Sequence, residues 1–93
     1  KWEDRRPLFR TPELVITGYL VNVGAQVAYN VVMHVTYYQG NVATRKEVIM
    51  GTIPAFSWRS LDIHIPYTGS SITKVEVKIS WVTPTGATTT ISI

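Results

Sequence analysis

A chain of 93 residues has room for one small domain, burying roughly 60 to 65% of its unfolded surface, with a radius of gyration of about 12 Å if compact. Hydrophobic residues make up 45% and charged residues 16%, which excludes a disordered chain, and the absence of cysteine excludes disulfides, thiolate catalysis and sulfur-ligated zinc. The net charge of +3 gives no coherent stripe for nucleic acid: Arg45, Lys46 and Glu47 are adjacent, Lys74, Glu76 and Lys78 alternate on one strand face, and "KWEDRR" at the start mixes acids with bases.

Residues 1–13 read as an N-terminal extension or linker, with a short edge strand at residues 8 to 10 before Pro12. The chain begins at Lys1 and is expected to be a piece of a longer protein. Its charged, tryptophan-containing start suits a flexible linker, or the polar side of a membrane anchor outside the fragment. No run within it approaches the ~20 apolar residues of a spanning helix, and it contains no signal-peptide pattern.

Residues 14–93 read as an immunoglobulin-like domain, because two-residue alternation recurs and helical spacing never lasts beyond a turn. Leu14, Ile16, Gly18 and Leu20 share one face of a long strand whose other face holds Val15, Thr17, Tyr19 and Val21. Gly18, on the inward face, is expected to permit a bulge or the close packing of a bulky neighbour such as Trp81. Asn22 falls where the strand must stop, and its amide can bond the turning backbone. In the next strand Val31, Met33, Val35 and Tyr37 oppose Val32, His34, Thr36 and Tyr38. Residues 42 to 50 form a weaker third run. Leu61, Ile63 and Ile65 then alternate with Ser60, Asp62 and His64, Val75, Val77, Ile79 and Trp81 with Lys74, Glu76, Lys78 and Ser80, and residues 87 to 93 close the chain. Turn residues at "QGN", "GTIPA", "PYTGSS" and "TPTG" punctuate these runs at intervals of about ten. The fold class is therefore all-β: a two-layer immunoglobulin-like β-sandwich of about seven strands, with a small closed barrel as the alternative.

Three phrases carry a family resemblance: "ITGYLVN" and its polar turn, "AYNVVMHVTYY", and "GTIPAFS". Over about residues 14 to 82 the chain resembles the immunoglobulin-like domains called FxLYD and CARDB-type domains. Phe56 departs from them, since such domains usually carry glycine after the "IPA" phrase. The resemblance implies a bacterial or archaeal cell-envelope protein, secreted or membrane-anchored, and so an extracytoplasmic, cell-surface location.

Asp62 and His64, two apart on one strand face, are the nearest approach to a catalytic or metal pair. A metal would need a third ligand, and His34 is expected on the opposite sheet. Ser57 and Ser60 have no base and orienting group beside them. The expectation is no enzyme, no catalytic or metal residue and no cofactor. More informative is a face too apolar for solvent: Val15, Tyr19 and Val21 of one strand, with Trp58 and His64 of its expected neighbour, make up the candidate partner-binding set. Against this stands a second reading, in which Trp2, Leu8 and Phe9 of the N-terminal segment fold across that face. The function expected is a non-catalytic protein-interaction or structural module, serving assembly, spacing or adhesion through a protein partner or self-association. An uncharged terminal strand at 87 to 93 offers an edge for the same purpose. The alternative is a carbohydrate-binding β-sandwich. Neither reading involves nucleic acid, and a membrane enters only through an anchor outside the fragment.

Overall fold

The computed structural model describes residues 1–7 and 10–93. Seven strands are present among the described residues: β1 (Trp2–Arg5), β2 (Glu13–Val21), β3 (Ala28–Gln39), β4 (Val42–Ile53), β5 (Trp58–Pro66), β6 (Lys74–Val82) and β7 (Thr88–Ser92). They pair antiparallel in two sheets, ordered β1-β2-β5 and β4-β3-β6-β7. The result is an all-β sandwich, with the neighbouring pairs of an immunoglobulin-like order: β2 with β5, β3 with β6, β6 with β7. The third run is a full strand of twelve residues. It lies beside β3 in the larger sheet.

Alternation decides which faces meet. Val31, Met33, Val35 and Tyr37 are buried in one core with Leu14, Ile16, Ile53, Ile65 and Ile79, as their parity requires. The core ends at the β5–β6 connection, where Tyr67 and Ile72 are buried. The molecule is longer than the compact expectation: its radius of gyration is 14.8 Å and its extents are 46 × 24 × 16 Å. Twelve extended residues span about 40 Å, so β3 and β4 set the long axis.

An edge strand does precede the domain, at Trp2–Arg5, paired in register with Ile16 to Glu13. The strand expected at residues 8 to 10 rests on residues 8 and 9, outside the described residues. β1 is fastened at its far end. The Asp4 carboxylate accepts from the Tyr67 hydroxyl and the Ile72 backbone N–H, while Arg6 donates to the Tyr67 hydroxyl at 3.1 Å and to the Gly69 carbonyl.

Gly18 corrects an expectation. The β2–β5 register runs unbroken through it, and nothing lies within 4 Å of where its Cβ would be, so neither a bulge nor a packed neighbour explains it. Its φ of 135° does, because side-chain-bearing residues rarely adopt that backbone conformation.

Candidate interaction face

Val21 and Trp58 are register partners on the outer side of the three-stranded sheet, and Tyr19 lies two residues along. The Tyr19 and Trp58 rings meet edge to face, with centroids 5.4 Å apart at 84°. Both remain exposed, at 70% and 57%, so the contact orders two large apolar groups without removing them from water. Val21 is exposed beside them.

Asn22 binds together the two loops that continue this surface. Its side-chain N–H groups donate to the carbonyls of Gln26 at 2.9 Å, Pro54 at 3.2 Å and Ile53 at 3.3 Å, and its Oδ1 accepts from the Gly24 N–H at 3.0 Å. The backbone adds Asn22 N–H to Ser57 carbonyl and Phe56 N–H to Gly24 carbonyl. The expected turn-bonding role is thus met, and it reaches across to the β4–β5 connection. On these loops Val23 is 81% exposed and Phe56 is 72% exposed. Phe56 also has a φ of 55°, in the left-handed region that glycine suits. The sequence reading noted Phe56 as a departure without placing it in the site. Its signal was a bulky residue where the resemblance led to an expectation of glycine.

Two members of the expected set differ from that reading. Val15 does face outward by parity, yet it is buried, because β2 is the central strand. Its cross-strand partners are Glu3 on β1 and His64 on β5, with Glu13 and Thr17 along its own strand. It is a supporting residue beneath charged neighbours and offers no surface. His64 is accessible but occupied: Nδ1 lies 2.9 Å from Glu13 Oε1 and Nε2 lies 2.8 Å from Asp62 Oδ1. Neutral imidazole has one N–H, so keeping both bonds requires the protonated ring. Glu13 first and Asp62 second accordingly raise its pKa above the usual histidine value. The proposed cover by the N-terminal segment does not form through Trp2, whose register partner is the inward Ile16. Leu8 and Phe9 lie outside the described residues.

The other sheet shows what a solvated outer face looks like. Lys74 Nζ lies 2.9 Å from Glu76 Oε1, holding the Glu76 carboxyl below its ordinary pKa, and the Tyr38 hydroxyl donates to the same carboxylate. On this face the structure brings together groups the sequence reading kept apart: His34 Nε2 is 2.8 Å from Ser80 Oγ, and His34 Nδ1 is 3.5 Å from Glu47. The order matches a nucleophile, a base and an orienting acid. The backbone N–H groups of β3 and β6 beside it lie in the sheet plane and serve the ladder. Among the described residues no group of three or more His, Cys, Asp or Glu is placed to hold a metal ion.

Comparison with protein-family models, with curated proteins and with solved structures finds no match to the chain.

Proposed function

We propose that this chain is a non-catalytic interaction module, acting through protein contact at the end of the sandwich that carries Tyr19, Val21, Val23, Phe56 and Trp58. The observation behind the reading is that five large apolar side chains stay exposed on one rim. One of them, Phe56, is held there in a backbone conformation that costs energy. Tryptophan and tyrosine are the residues from which interfaces draw most binding energy. The edge-to-face rings and the mutual engagement of Asp62 and His64 give less support to a sugar platform, which wants an open aromatic face with free polar groups beside it. The resemblance of residues 14 to 82 to FxLYD and CARDB-type domains favours a setting on an anchored or secreted cell-envelope protein, as an assembly, spacer or adhesion unit.

Amide NMR spectra recorded from micromolar to millimolar protein test the self-association form of this proposal. The expected result is movement of the Trp58 indole signal and of the Tyr19, Val21 and Val23 amides with concentration, while Lys74, Glu76 and Lys78 stay fixed. Movement confined to the four-stranded sheet would contradict it. A response of Trp58 to a glycan panel, without concentration dependence, would replace it with the carbohydrate reading.

A further inference from the structure

β5 is an edge strand: it pairs with β2 on one side and, among the described residues, with no strand on the other. β1 lies across β2 from it, so the course of β1 has no bearing on this edge. Two bonds at the ends of the β2–β5 ladder, from the Asn22 N–H to the Ser57 carbonyl and from the Tyr67 N–H to the Pro12 carbonyl, fix which residues serve that ladder. Odd-numbered residues of β5 bond β2, and even-numbered ones direct their N–H and C=O groups to the open side. These are Trp58, Ser60, Asp62 and His64, all exposed.

β4 is an edge strand as well, but Lys46 guards it. Its register partner is the buried Val35, so Lys46 lies on the inward side of β4, where a paired strand would cover its charge. The one charged residue on the inward side of β5 is Arg59, and its guanidinium is already engaged. It donates to the Thr52 carbonyl at 2.8 Å and to the Trp58 carbonyl at 3.1 Å, which keeps a second lone pair free.

We propose that β5 is a self-association edge: a second copy of the chain adds its own β5, antiparallel, across a two-fold axis at Leu61, joining the two three-stranded sheets into one. The side chains of this edge complement themselves in that register. Ser60 stands opposite Asp62 of the second copy, where its hydroxyl donates to the carboxylate, and Trp58 stands opposite His64. The His64 ring, which holds both of its carboxylates only when protonated, rests as a cation against the indole. Pro66, with no N–H to give, falls opposite Phe56, past the end of the ladder. Sliding the second copy by two residues one way sets Asp62 against its own copy and demands an N–H from Pro66; sliding it the other way sets Asp62 against Trp58. The inference rests on the self-association form of the function proposed above and supplies its partner. Trp58, flanked by Val21 within the chain and oriented by the Tyr19 ring, gains His64 of the second copy on its open side.

The test reads amide hydrogen exchange and solution mass together on the full chain, from micromolar to millimolar protein. The Ser60 and Asp62 amides should exchange rapidly in dilute protein and slow at least about fivefold as the mass rises to that of a dimer, while the Glu47 amide on β4 keeps its rate. Ser60→Asp, which sets a carboxylate against Asp62 of the second copy, should weaken the dimer at least about tenfold, and Ser60→Lys, which sets an ammonium there, should tighten it. Ser60 is exposed, so circular dichroism should show both variants folded. A dimer whose Ser60 and Asp62 amides exchange as fast as the monomer's would overturn the strand pairing and leave association through the rim in place. Equal weakening by the two substitutions would rule out the register. A chain that stays monomeric to millimolar concentration would remove this proposal together with the self-association on which it rests.

Discussion

Phe56 concentrates the tension between stability and exposure. A non-glycine residue in the left-handed region costs about 1 to 2 kcal/mol, against roughly 0.5 to 1 kcal/mol of extra chain entropy lost when glycine is ordered. Phe56→Gly should therefore leave thermal stability unchanged or slightly raised while weakening association. A melting point lowered by the equivalent of more than about 1 kcal/mol would make Phe56 a packing residue instead. Asn22 is the opposite case, since its side chain satisfies several backbone groups on two loops. Asn22→Ala should cost about 1 to 3 kcal/mol in denaturant unfolding and loosen both loops. His64 ties its contribution to pH. Its folded-state pKa lies above the unfolded value of 6.5, so its stabilisation is complete below that value and disappears as pH rises through the raised one. The melting-point difference between the native chain and His64→Gln should shrink from pH about 5 to about 9. A difference that grows with pH would contradict the carboxylate clamp.

At the scale of the element, the strands were legible where one face is buried. β3 from Val31 onward and β5 follow their alternation almost residue by residue, because burying one side of an antiparallel strand fixes the period, while in β6 only Ile79 is fully buried and most other positions are half-buried. β1 was not. "WEDR" has neither alternation nor β-branched residues, and its place comes from non-local groups, chiefly Asp4 meeting Tyr67 and the Ile72 amide more than sixty residues away. The same gap explains Val15: without β1 beside it, Val15 reads as exposed, whereas Glu3 and His64 flank it on both sides and leave it buried. Asp4→Ala removes an acceptor from a buried tyrosine and from a backbone N–H, which should cost about 2 kcal/mol and roughly 8 to 16 °C of melting temperature in a domain of this size. Differential scanning calorimetry measures it, and a shift under about 2 °C would mean that the Asp4 latch does not hold β1.

Taken whole, the molecule has two unlike outer surfaces. The four-stranded sheet presents ion pairs and hydroxyls with an exposed Ile49 among them, whereas the three-stranded sheet gives way at one end to Tyr19, Val21 and Trp58, with Val23 and Phe56 on the loops beyond. The aromatic pair and Val21 could be read from strand parity, since residues two apart share a face. The loop members could not, because parity says nothing about residues between strands; their exposure depends on how Asn22 joins the loops. Five side chains form the centre of an interface smaller than the ~800 Å² per partner of stable complexes, so association should be weak, in the micromolar range or above. A centrally placed tyrosine contributes about 2 kcal/mol, and its loss should weaken binding some thirty-fold. The central claim is that this rim is a surface for contact and no part of the core. The most direct measurement is solution mass by light scattering across a wide concentration range, for the native chain and for Tyr19→Lys. A mass that rises toward a dimer in the native chain, and stays monomeric in a variant that melts at the same temperature, is the predicted result. A native chain that remains monomeric to millimolar concentration would contradict self-association through the rim, and a Tyr19→Lys variant that unfolds would contradict the claim that Tyr19 lies outside the core.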